Sequence, residues 1–162
     1  MFALELDGLA EANARLEAYP AALTAALSAK AAELAAKLAD AVKNDKLSGS
    51  VLNTVSGALR DSIVANVSAD ADGVVASVGS EGDVKYAAIQ EYGGKTSAHE
   101  ILPDKAQALA FVVGGALRFA RRVEHPGSLI PARSYLGSTL DEMSDEIVAA
   151  FADAATETWG RA

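Results

Sequence analysis

Residues 109–123 read LAFVVGGALRFARRV. A short apolar run, a Gly114-Gly115 pair and a second, mixed run make the composition of a tight β-hairpin, because glycine accepts the positive φ that two-residue hairpin turns require. In the register this turn sets, Val112 faces Leu117 and Ala110 faces Phe119, which gives one apolar face. The other face carries Leu109, Phe111 and Val113 against Ala116 and Arg118, with the second strand running on to Val123. Apolar residues on both faces predict a hairpin that is covered and central rather than at a bare edge.

The same period of two recurs upstream. Ile63, Ala65 and Val67 alternate with polar neighbours, and Val74, Ala76 and Val78 follow. The intervening Ala-Asp-Ala-Asp-Gly at 69–73 has turn composition, so a second hairpin is expected here. YAAIQEY at 86–92 suits a short helix stopped by Gly93 and Gly94. Residues 95–100 read as a polar loop. Downstream, His125-Pro126-Gly127 ends the hairpin strand, and 129–132 with Pro131 reads as extended chain.

Both ends of the sequence have helical periodicity. From 9 to 43 the chain is rich in Ala, Leu, Glu and Lys, and Leu9, Leu16, Leu23, Leu27, Leu34 and Leu38 fall on one stripe. Pro20 predicts two helices or one kinked helix. The stretch 20–43 would be roughly 36 Å long as helix, more than a small sheet needs for cover. Its alanines fit either plain helix propensity or close packing on a neighbouring subunit. Residues 44–57, NDKLSGSVLNTVSG, read as a loop with at most a short turn. From about Ser138 a last helix is expected. Thr139 and Glu142 match a capping box there, Asp141 and Glu142 suit the positive helix end, and Leu140, Met143, Ile147, Phe151, Ala154 and Thr158 form the stripe. The expected architecture is α+β in a single domain, 1–162. It comprises an N-terminal helical region (1–47), an antiparallel β core of two hairpins with a short intervening helix (48–137) and a closing helix (138–160).

Composition narrows the function classes. The chain has 162 residues, half of them apolar, enough for one domain with a real core. No run is long and apolar enough for a membrane span. The opening MFALELDG carries acids early and no basic segment, unlike a secretory leader. Cysteine is absent, which excludes disulfides and thiolate metal sites and fits synthesis in a reducing cytoplasm. A net charge of −8 argues against general nucleic-acid binding, since neutralising phosphate takes a basic surplus.

The search for chemistry yields no reactive constellation. His99 and His125 are the only histidines and lie outside any metal-ligand spacing; Glu100 beside His99 points the other way on helix or strand. No serine sits in a Gly-x-Ser-x-Gly elbow. Ser48-Gly49-Ser50 and Gly79-Ser80-Glu81-Gly82 are loop compositions rather than phosphate cradles. Paired acids such as Asp70/Asp72 and Asp141/Glu142 suit solvated turns and helix N-termini. The expectation is no catalytic residue, no metal and no cofactor. One charge feature stands out: Arg118, Arg121, Arg122 and His125 cluster, with Arg133 near in sequence. In so acidic a chain this cluster fits a salt-bridged seam to an acidic neighbouring subunit better than phosphate contact. That reading predicts that Arg118→Glu with Arg122→Glu blocks assembly but not folding.

The order of the pieces then carries a resemblance. Ser-Gly-Ala-Leu-Arg-Asp-Ser-Ile at 56–63 precedes a strand pair and Val-Lys-Tyr-Ala-Ala-Ile-Gln-Glu-Tyr-Gly-Gly at 84–94. Ile-Leu-Pro at 101–103, Ala-Leu-Ala-Phe at 108–111, Gly-Gly-Ala-Leu-Arg-Phe-Ala-Arg-Arg-Val at 114–123, His-Pro-Gly at 125–127 and Ile-Pro-Ala-Arg-Ser-Tyr-Leu at 130–136 follow. Over about 48–145 this resembles the tail-completion or head–tail joining family of long-tailed bacteriophages. The residues that carry the likeness are Tyr86, Glu91, Tyr92, Gly93, Gly114, Gly115, His125, Pro126, Gly127, Pro131 and Arg133. Ser134 stands where the family usually has proline, and the Ala-rich N-terminal region is longer than usual. The resemblance implies a virion protein of the neck or tail, made in the bacterial host cytoplasm and assembled as a ring, commonly a hexamer. Connector or adaptor proteins and a tail terminator or tail-tube protein would be its neighbours, and DNA would pass through without sequence-specific contact. It implies no catalytic residues. Alternatives are a terminator subunit capping the tail tube and a non-virion binding adaptor of the same fold.

Overall fold

Helix α1 (Leu9–Ala41) runs through Pro20 without a break. The strong helix formers on either side outweigh the one hydrogen bond that proline removes. Its leucine stripe is graded: Leu9 and Leu16 stay exposed, while Leu34 and Leu38 are buried with Ala31, Ala35 and Ala39. The computed structural model describes residues 8–70, 72–104 and 106–161. Residues 1–7 of the expected helical region and Ala71 of the expected turn lie outside the described residues.

The loop expected from residue 44 onward does not begin there. Val42–Ser50 continues α1 in widened turns until Ser48 and Gly49 leave helical geometry, Gly49 at φ +128°. Val42 and Leu47 are the buried residues of this segment, and polar neighbours on both sides mask Leu47. A one-turn helix, α2 (Ala58–Asp61), then brings in Leu59.

Strands β1 (Ile63–Ala69) and β2 (Val74–Ser80) form the expected hairpin, in register from Ile63 opposite Ser80 to Ala69 opposite Val74. Its alternation does not mark a buried face. Ile63 is fully buried, whereas Ala65 is exposed and Val67 is 37% exposed. Both strands lie against α1. The core joins Ala39, Val42, Leu47, Leu59, Ile63 and Tyr135, and burial of each large member contributes about 1.5–3 kcal/mol.

Helix α4 (Gly137–Arg161) packs antiparallel on α1. Lys46 pairs with Glu142 and Lys37 with Glu146, and Tyr19 meets Trp159 edge-on with ring centroids 5.1 Å apart. Exposed pairs of this kind contribute about 0–1 kcal/mol each, so they set register more than stability. On the same α1 face, the hydrogen bond and charge of Glu33 hold the Lys30 ammonium above its ordinary pKa. Met143, Ile147, Phe151, Ala154 and Thr158 do form the inward stripe, but Leu140 is exposed and Thr139 takes its place.

The capping box expected at Thr139 and Glu142 is absent. The helix starts earlier, so Thr139 is already inside it, with Oγ1 donating to the Tyr135 carbonyl at 2.7 Å. Ser134 supplies the cap, its Oγ accepting the Ser138 N–H at 3.2 Å. The residue that departs from the phage-family pattern thus has a local task that proline could not perform.

The chain divides into two compact units: one takes the segment up to Ala87 together with Ser134 onward, the other Ala88–Arg133. The second unit contains most of α3 (Ala87–Tyr92), then β3 (Gly94–Lys95), β4 (His99–Ile101), β5 (Leu109–Val113), β6 (Ala116–Ala120), β7 (Val123–His125) and β8 (Leu129–Ile130). The pairs are nested: β3 with β8, β4 with β7, and β5 with β6. Gly94 lies opposite Ile130 and His99 opposite His125, which is one register, and Thr96 N–H donates to the Ser128 carbonyl between them. The second unit is therefore one interrupted two-stranded ribbon, turning at Gly114-Gly115. Three sequence expectations need correction here. Lys95, His99 and Glu100 of the expected loop are strand residues, the strand after Gly115 stops at Ala120, and the glycine hairpin is a two-stranded tip rather than the centre of a covered sheet.

Candidate assembly surface

The hairpin register is as the turn composition demands: Val112 opposite Leu117, Ala110 opposite Phe119, and Phe111 opposite Arg118. Gly114 and Gly115 both take positive φ, +57° and +81°. The face made by Ala110, Val112, Leu117 and Phe119 has no polar side chain, yet Val112, Leu117 and Phe119 are 68%, 60% and 68% exposed. A bare two-stranded hairpin is marginal in water, and a continuous apolar patch on it marks a contact surface.

The ribbon base gathers most of the residues that carried the resemblance. A Cβ on Gly93 would lie 2.7 Å from the Ala132 backbone nitrogen, so Tyr92-Gly93-Gly94 and Pro131-Ala132-Arg133 are in backbone contact. The Arg133 N–H also donates to the Gln90 carbonyl at 2.8 Å. Glu91 is buried, whereas Tyr92 and Tyr86 are exposed. Pro126 and Pro131 lie on the surface of the returning strand. Segments some forty residues apart in sequence thus form one backbone-to-backbone clasp.

The two histidines, treated in the sequence as unrelated, are cross-strand partners. His99 and His125 stack with ring centroids 5.0 Å apart and 25° between planes. His125 Nδ1 accepts the Gly127 N–H at 3.1 Å, which places the proton of the neutral ring on Nε2. His99 Nδ1 lies 3.2 Å from the Ser97 carbonyl. Two short, polar strands conceal this pairing, and the Gly114-Gly115 turn does not signal it, because its register read outward would set His99 opposite Ile130. Among the described residues no group of three or more His, Asp or Glu side chains is placed to hold a metal ion.

The arginine cluster separates by task. Glu100 and Glu124 face each other across β4 and β7, and Arg122 bridges them, Nε at 3.3 Å from Glu100 and Nη2 at 3.6 Å from Glu124. Arg122 therefore relieves a like-charge pair inside its own ribbon, and Arg122→Glu would put three carboxylates together there. Arg118 on the tip and Arg121 just after it make no ion pair among the described residues. Arg133 sits at the base, exposed. Charge is unevenly shared: residues 88–133 hold six Lys/Arg and four Asp/Glu, a net of +2, while the remainder holds eight and eighteen, a net of −10.

Among the described residues no helix is long and apolar enough to cross a membrane. The chain matches no known family, no curated protein and no solved structure. The likeness to the phage family thus rests on its own residues and their order.

Proposed function

We propose that this chain is a structural subunit of a long-tailed phage or phage-like particle, a ring-forming tail-completion or head–tail joining protein at the neck. The observation that carries the reading is the ribbon. Its base is built from the segments that resemble the family, and its tip offers an apolar face that stays exposed among the described residues. A subunit that works by fit with identical neighbours needs such a surface, and a ring needs two different surfaces that meet head to tail. The basic tip and the acidic remainder supply two patches of opposite sign. A strongly acidic subunit also suits a channel for DNA, since like charge lets the duplex slide past without binding. No substrate is converted in this reading; the chain acts through shape.

A particle-assembly experiment tests the role. In cells producing the particle without this chain, filled heads and finished tails are expected to accumulate unjoined, and supplying the chain in trans should restore joined particles. Normal numbers of joined, infectious particles in its absence would reject the role.

A further inference from the structure

We propose that the β5–β6 tip of one copy docks on the outward face of α4 of a second copy. The inference rests on the ring reading for its partner and goes beyond it in naming the two surfaces. The side of α4 turned away from α1 carries Val148, 70% exposed, together with exposed Ala152. Asp141 and Asp145 fall on the same side, one and two turns earlier. Unlike Glu142 and Glu146, which are taken by Lys46 and Lys37, these two aspartates have no ion-pair partner among the described residues. The outward face of α4 is thus acidic towards its N-terminal end and apolar around Val148 and Ala152 in its middle.

The tip is its complement. Val112, Leu117 and Phe119 supply the apolar part, and Arg118 and Arg121 supply two cations that make no ion pair among the described residues. A second copy is the favoured occupant because the chain's charge is divided so that its basic part and its acidic part attract across copies, +2 against −10. The same division disfavours tip-to-tip pairing, which would bring Arg118 and Arg121 of two copies together. The contact is heterologous, so it propagates from copy to copy and can close a ring.

The absence of cysteine allows a clean test. Leu117→Cys and Val148→Cys variants, both at exposed positions, are prepared separately, mixed and treated with a short bismaleimide, and linked peptides are read by mass spectrometry. The expected result is a 117–148 link formed at least about tenfold more in the mixture than any homotypic link, since a charge-matched docked pair holds the two thiols together far longer than random encounter. In the unmodified background, Arg118→Glu with Arg121→Glu should weaken self-association about tenfold, and adding Asp141→Arg with Asp145→Arg should restore it, because the swap rebuilds two opposite-charge pairs. Predominant 117–117 links would overturn the proposal in favour of tip-to-tip pairing. Rings that form without a 117–148 link would overturn it while leaving the ring reading intact. A chain that neither links nor associates would reject both.

Discussion

Gly127→Ala is expected to open the base of the ribbon. Gly127 sits at φ +86°, a conformation that costs a side-chain-bearing residue about 1–2 kcal/mol. A Cβ there would also lie 2.1 Å from the Thr96 carbonyl oxygen and 3.1 Å from its carbon. Both neighbours are backbone, so relief requires moving a strand rather than rotating a side chain, and overpacking of this kind costs about 1–3 kcal/mol more. The strand to be moved is fixed by the Thr96–Ser128 hydrogen bonds, by the stacked histidines and by the Gly127 N–H to His125 bond itself. Hydrogen exchange should show amides of 94–101 and 123–130 losing protection by two orders of magnitude or more, on the order of the combined cost of about 3 kcal/mol. Amides of α1 and α4 should keep theirs. Gly115→Val, with open space around it, should cost only the backbone term and loosen the tip alone. Unchanged protection in the Gly127→Ala ribbon would show the clasp to be wrongly placed.

Tyr135→Ala should have the largest effect on the other unit. Its ring is 1% exposed, among Val42, Leu47 and Ile63, and its hydroxyl donates to the Ala87 carbonyl at 3.3 Å. Removing a buried aromatic side chain of this size costs about 3–5 kcal/mol, a large share of the roughly 5–15 kcal/mol that stabilises an ordinary domain. Tyr135→Phe should lose only about 1 kcal/mol, the net value of one hydrogen bond. Urea unfolding followed by the circular dichroism of the helices measures both. Equal losses in the two variants would mean that the hydroxyl, not the packing, holds this residue.

The parts of this fold that were legible in the sequence are those decided locally. Gly114-Gly115 fixed a turn, and the turn fixed its register residue by residue. Gly93 ends α3 as expected, and α4 turns Met143, buried, and Ile147 and Phe151, half-buried, inward at their expected spacing. The failures are equally specific. β4 and β7 are three residues each, His-Glu-Ile and Val-Glu-His, too short and too polar for a period to show. Their pairing depends on chain more than twenty residues away. Leu47 was hidden because one inward residue among polar neighbours makes no stripe. Apolar residues on both sides of the tip suggested cover, since burial by the same chain is the ordinary use of such residues. Here they remain exposed, and the proposed interface between copies would account for them without a conflict between sequence and fold. The arginines were legible as a cluster but not as individuals, because the division between Arg122, engaged with Glu100 and Glu124, and Arg118 with Arg121, unpaired, depends on the ribbon register.

That the chain functions as one repeated part of a closed assembly is tested most directly by its mass in solution. Mass photometry of the purified protein across a wide concentration range, with negative-stain micrographs of the same samples, should reveal a discrete species of fixed copy number that appears end-on as a ring with a central opening. A single population at the 16.6 kDa monomer mass, unchanged at the highest concentration reached, would contradict it.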